Sequence, residues 1–333
     1  MDVASFSRQS RVLVVAGKGG VGKTTITAAL ARMACHAGLS VLVVELEGKP
    51  GVPAAFGREG SLDYEETVLA DGSGSVRARR ITPDDALLEY LADHGMKRIS
   101  KRLVSSGALD VVATAIPGIR DILVLGKVKS LEREGVADLI LVDAPATGHA
   151  MTFLSSAQGL LDAARGGPVR SQAQDVVELL SDPARCQVAL VTLPEEMPVN
   201  EVVEAAYALE DRIGITLGPV IVNACLPDEP ALATSAAIAA QQTGVTLDDA
   251  AQRALDAAAA FRAHRFALQE QQLTRLRDEL PLPQLRTRVL FTDTVGPDEL
   301  ELLSGDLTAG VEQLQEYAPR PAAARRDSAA GPT

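Results

Sequence analysis

Arg11-Val12-Leu13-Val14-Val15-Ala16-Gly17-Lys18-Gly19-Gly20-Val21-Gly22-Lys23-Thr24-Thr25 decides the architecture of this chain. Residues 11–16 form an apolar run without alternation, the pattern of a strand covered on both faces. The run enters a glycine-rich turn, and helical spacing follows from Lys23 to Ala37 until Gly38 stops it. Strand, loop and helix in that order satisfy G-x-x-x-x-G-K-[ST] through Gly17, Gly22, Lys23 and Thr24. Glycines in such a turn let backbone N–H groups curl around phosphate oxygens, and the helix N-terminus adds a partial positive charge. A lysine at position 23 reaches the β- and γ-phosphates, and a hydroxyl at position 24 holds Mg²⁺. The expected nucleotide-binding residues are Gly17, Gly19, Gly20, Val21, Gly22, Lys23, Thr24 and Thr25, with ATP and Mg²⁺ as cofactors.

Further apolar runs at 41–45, 138–142, 188–193 and 220–223 also read as buried parallel strands, and helical stretches separate them. The expected fold is α/β: a P-loop NTPase with a doubly wound, mostly parallel sheet and an inserted helical subdomain. Residues 8–60 and 135–318 would form the discontinuous main domain. The insertion is expected at 61–134, where Thr82-Pro83-Asp84-Asp85 reads as a helix start. Residues 149–182 would contribute helices to it. The stretch 319–333, rich in Pro, Ala, Arg and Ser, reads as a disordered tail.

Composition narrows the function. The 333 residues are 47% hydrophobic but only 3% aromatic and contain no Trp, so the core must be built from Ala, Leu and Val. A net charge of −12 argues against a nucleic-acid partner, which needs a basic face. Cys35, Cys186 and Cys225 are widely spaced with no C-x-x-C pair, so no zinc site is expected. Neither a leader nor an integral membrane segment is suggested, and a cytoplasmic location is expected.

Lys18 is an additional basic residue that an ordinary phosphate loop does not require. Gly17-Lys18-Gly19-Gly20-Val21-Gly22-Lys23-Thr24-Thr25 resembles the deviant Walker A motif of the MinD, ParA, nitrogenase iron protein and ArsA group. The resemblance implies that Lys18 reaches the nucleotide of a facing subunit, where a cation in trans stabilises charge developing on the phosphoryl oxygens. It therefore implies a dimer.

Asp143-Ala144-Pro145-Ala146-Thr147-Gly148-His149 is similar to the switch II segment of the ArsA family, which includes the targeting ATPase of the guided-entry pathway for tail-anchored proteins. By that resemblance Asp143 joins Thr24 in organising the metal. Residues 47–56 fall where the family has switch I. Ala55-Phe56 matches its end, but Glu47 stands in place of the water-orienting aspartate. Lys18, Lys23 and Glu47 are the expected catalytic residues, Glu47 being one methylene longer than the family's acid.

Asn223 lies where the family hydrogen-bonds adenine, and 280–285 resembles the loop that closes over the ring. Pro117-Gly118-Ile119 and Pro194-Glu195-Glu196 are further similarities. The chain looks most like single-domain actinobacterial ArsA-like ATPases, which occur as paralogous pairs. The resemblance implies a homodimer or a heterodimer with a paralogue, and a protein client. One P-loop and scattered cysteines argue against an arsenite pump. The alternative reading is a nucleotide-gated switch with little turnover of its own.

Overall fold

The computed structural model describes residues 1–46, 51–93, 118–163 and 165–314. Glu47, the opening of switch I, much of the inserted region and the tail at 319–333 lie outside them. Eight strands form one sheet: β1 (Val12–Gly17), β2 (Ser40–Glu45), β3 (Thr67–Asp71), β4 (Ser75–Arg80), β5 (Leu139–Ala146), β6 (Cys186–Thr192), β7 (Val220–Cys225) and β8 (Gln284–Arg288). Their spatial order is β3-β4-β2-β5-β1-β6-β7-β8, parallel throughout except for the β3–β4 hairpin. The sheet is thus the expected doubly wound α/β arrangement, with β1 between β5 and β6.

The described helices are α1 (Val3–Ser7), α2 (Lys23–His36), α3 (Gly51–Ala55), α4 (Pro83–Asp93), α5 (Ile119–Glu134), α6 (Thr147–Ala163), α7 (Pro168–Ser181), α8 (Glu196–Ala208), α9 (Ala236–Thr243), α10 (Asp249–Glu279) and α11 (Pro297–Gln313). They cover both faces. On one, Val15, Val41, Val43 and Leu141 pack with Ile26 and Leu30 of α2 and with Leu300, Leu303 and Leu307 of α11. On the other, Val14, Leu42, Val44 and Ile140 meet Ile122, Leu154, Val176, Val199 and Leu273 from α5, α6, α7, α8 and α10. Adjacent residues of a strand enter opposite cores, which is why these runs show no polar alternation. Each fully buried Leu, Ile or Val contributes about 2 kcal/mol.

One boundary differs from the sequence expectation. Residues 67–80, placed with the inserted helices, form β3 and β4 and extend the sheet, with β4 in parallel register beside β2. Four of the six β4 residues, Ser75, Arg77, Arg79 and Arg80, are polar or charged, because β4 lies near the sheet edge. Its arginines lie along acids and rings: Arg77 Nη1 donates to Glu66 Oε2 at 2.5 Å, and the Arg79 guanidinium sits 4.3 Å from the Tyr64 ring centroid. The helical part starts at α4. There α5 packs on α4, α6 and α7, and Glu132 of α5, 5% exposed, takes Arg185 in a two-pronged pair at 2.6 and 3.3 Å.

Candidate nucleotide site

The parallel strands bring Gly17, Glu45, Asp143, Thr192 and Asn223 to one edge of the sheet, the carboxyl edge where open α/β folds hold ligands. Gly17 ends β1. Gly19 and Gly20 are exposed on the crown of the loop, Lys18 is half-buried, and Val21 is buried beneath. Gly22 caps α2 with φ +91° in the left-handed region, and a Cβ there would stand 2.3 Å from Asn223 Nδ2. Only glycine meets both conditions. Lys23, Thr24 and Thr25 form the first turn of α2, whose N–H groups have no partner within the helix.

Three contacts fix the polar side chains. Lys23 Nζ donates to the Lys18 carbonyl at 3.1 Å, which folds the ammonium over its own loop. Thr24 Oγ1 donates to Asp143 Oδ2 at 2.6 Å. The ammonium of Lys18 pairs with the Glu201 carboxylate of α8 in the same chain.

This donor set fits Mg-nucleotide. A hydroxyl and a buried carboxylate already meet at the foot of the loop, both hard oxygen donors of the kind Mg²⁺ takes. Gly51, opening α3, lies close to the same point: a Cβ on it would be 2.7 Å from Thr24 Cγ2. The described part of the switch I segment therefore touches the residue expected to hold the metal, and Phe56 packs against the core. Glu45, 1% exposed, ends β2 in register with Asp143 and is a second buried acid at this edge. Beyond Asp143, His149 is exposed on α6 and acts electrostatically on the half-buried Asp121 of α5. Burial pushes the Asp121 carboxyl up, and His149 opposes that.

Asn223 is committed to the protein. Its Nδ2 donates to the Val21 carbonyl at 3.0 Å, and its Oδ1 accepts both the Ala224 N–H and Thr287 Oγ1 at 2.8 Å. Both lone pairs of Oδ1 are taken, which leaves one N–H to offer. Ala224 follows with φ 58°, a strained conformation for an L residue at the edge of the site. Beside it opens a cleft of about 340 Å³, lined by Leu193, Pro194, Leu226, Val289 and the helical face Leu268, Gln269 and Gln272. The stretch 280–285 does not form a loop over this cleft. Leu280, Leu282 and Leu285 are buried, and Leu285 belongs to β8, paired with Ile221.

The model of the anion-transporting ATPases matches residues 10–163 and 168–246. The chain belongs to that family. Its sheet and phosphate loop are those of a P-loop NTPase fold. ATPase BagA of Mycobacterium tuberculosis is 39% identical over 233 residues, 65% of this chain and 66% of that protein. A proposed arsenical pump-driving ATPase of Halobacterium salinarum is 27% identical over 323 residues, 90% of this chain but 45% of its own length. ATPase get3 of Neurospora crassa is 33% identical over 152 residues, 44% of this chain and 43% of that protein. The chain thus spans two thirds or less of the length of each. No described helix is long and apolar enough to cross a membrane.

Sequence reasoning missed Glu201, Thr287 and the α10 face. Glu201 is one of several helical acids with no motif around it, and Thr287 sits in a short strand in which every residue but Leu285 is polar or charged. The three cysteines are buried in α2, β6 and β7, and burial pushes the thiols of Cys186 and Cys225 up to about 12.

Proposed function

We propose that this protein binds Mg-ATP on the Gly17–Thr25 loop and hydrolyses it as a dimer, using the cycle to handle a client. The observation that carries the reading is the foot of the loop: Lys23, Thr24 and Asp143 converge there within hydrogen-bonding distance of one another or of the loop backbone. Backbone N–H groups of the loop and of α2 would cradle the phosphates. Lys23 would exchange the Lys18 carbonyl for phosphate oxygens. Thr24 and Asp143 would hold Mg²⁺, which when bound neutralises charge on the bridging and terminal phosphate oxygens. Asn223 would keep the loop in shape through Val21 and give its remaining N–H to the base.

Lys18 would leave Glu201 and reach the facing subunit's phosphates, adding positive charge where the transition state gathers negative charge. The Lys18–Glu201 pair is part-exposed on both sides, so its loss costs little. Glu47 would orient the attacking water. Its extra methylene relative to aspartate favours a second reading: this chain turns over slowly alone and faster beside a paralogue that keeps the aspartate.

ATP hydrolysis and molecular size test the proposal together. In Mg-ATP the chain should run as a dimer, alone or with the paralogue. Lys18→Ala should lower turnover about a thousandfold while keeping nucleotide affinity, the size of effect expected of a trans cation. Mixing Lys18→Ala with Lys23→Ala chains should recover turnover, because one composite site is then intact. An unchanged rate in Lys18→Ala would refute the trans role.

A further inference from the structure

We propose that Gln272 selects the base, its side-chain carbonyl accepting a hydrogen bond from the exocyclic amine of adenine and turning away a base with a carbonyl at that position. The proposal rests on the nucleotide reading above and adds the residue that would make the site specific for adenine.

The cleft beside Asn223 has walls suited to a flat ring and no surplus of cations. Leu193, Pro194, Leu226, Leu268 and Val289 supply apolar surface, while Glu195 and Glu196 stand at its rim and Arg265 is paired with Glu195 at 3.4 Å. Carboxylates at the rim disfavour phosphate, so the phosphates belong at the loop and the uncharged base here. Ala224, the residue after Asn223, also lines the cleft, which joins it directly to the phosphate end.

The polar groups around the cleft are mostly spent. The Leu226 N–H and carbonyl are both bound by the side-chain amide of Gln269, at 2.7 and 3.0 Å, and Gln269 itself is 4% exposed. Asn223 Oδ1 accepts twice already. Among the described residues lining the cleft, Gln272 Oε1 is the buried side-chain atom that has no hydrogen-bond partner. It lies one helical turn beyond Gln269, on the α10 face that also carries Arg265 and Leu268 into the cleft.

A buried carbonyl oxygen without a partner is costly, and an amine that satisfies it regains that cost on binding. A purine carrying a carbonyl at the same place sets two acceptors against each other. Sites built around such a group discriminate strongly between ligands that complete it and ligands that do not. The wall holding Gln272 is fixed: Arg275, one turn on, donates to Asn200 Oδ1 at 2.6 Å and ties α10 to α8.

The test is competition binding on the full chain in Mg²⁺, with a fluorescent ATP displaced by ATP, ITP or GTP. Wild type, Gln272→Leu and Gln272→Glu are compared, with circular dichroism and melting to confirm the fold. Wild type should prefer ATP to ITP by about tenfold or more, the effect of one buried hydrogen bond. Gln272→Leu should lose that preference by weakening ATP while ITP changes little. Gln272→Glu keeps an acceptor and should keep the preference. A Gln272→Leu chain with the wild-type ATP-to-ITP ratio would overturn the proposal. So would a wild type that binds all three triphosphates equally, although the ATP-binding reading would then survive. A wild type that binds none would remove both.

Discussion

The proposed phosphate end and the proposed base end of the site are built by opposite means. Gly17 to Thr25 is one contiguous segment whose binding groups are mostly backbone N–H, and its shape follows from the glycines and the start of α2. The base end draws side chains from the β6–α8 connection, β7, α10 and the stretch after β8, segments far apart in the chain. The two are joined by Asn223, which clasps Val21 on one side and Thr287 on the other. On the proposed reading, recognition of phosphate, a ligand common to many enzymes, is local and rigid, whereas recognition of the base is assembled by tertiary packing. Damage to the first should abolish binding, and damage to the second should re-tune it.

Asp143→Ala should show the largest effect on turnover, a loss of about a thousandfold, because Thr24 then lacks its partner and the proposed metal would lack a ligand. ATP hydrolysis with excess Mg²⁺ measures it. A loss confined to the base end would break the comparison. Gly22→Ala comes next. The added Cβ meets the Asn223 amide and the backbone must hold φ +91°, so ATP affinity should fall about a hundredfold and stability by about 2 kcal/mol. Calorimetric titration and chemical denaturation read the two.

This ordering mirrors how legible each part was in the sequence. β1, its loop and α2 could be read from fifteen consecutive residues, because buried parallel strands and phosphate loops leave dense local patterns. Asp143 was legible as the polar end of an apolar run. The insertion boundary was not: 76–81 reads as a short strand, but with arginine at three of the six β4 positions nothing in it says that it joins the main sheet. Leu280, Leu282 and Leu285 resembled a lid but are core, because apolar residues of a loop and of a buried strand look alike in isolation. Glu201 and Gln272 had no local signal at all: their significance arises only when α8 and α10 fold against the sheet.

Asn223→Ala should sharpen the comparison by cutting the joint between the two ends. It removes three hydrogen bonds, and a loss of about 2 kcal/mol in stability with a tenfold weaker affinity for every nucleoside triphosphate is expected. Equal weakening of ATP, ITP and GTP, seen by competition binding, would separate this anchoring role from base selection. Glu201→Gln should have the smallest effect. Releasing Lys18 from a part-exposed pair should raise turnover at low ATP a few-fold, and salt should reduce the difference.

The central claim is that the Gly17–Thr25 loop holds the triphosphate, and direct titration of Mg-ATP into wild type and Lys23→Ala addresses it. Wild type should bind about one nucleotide per chain. Lys23→Ala should keep its circular dichroism and melting temperature yet bind at least about a hundredfold more weakly, since the cation over the β- and γ-phosphates is gone. A folded Lys23→Ala chain that binds Mg-ATP as tightly as wild type would contradict the account.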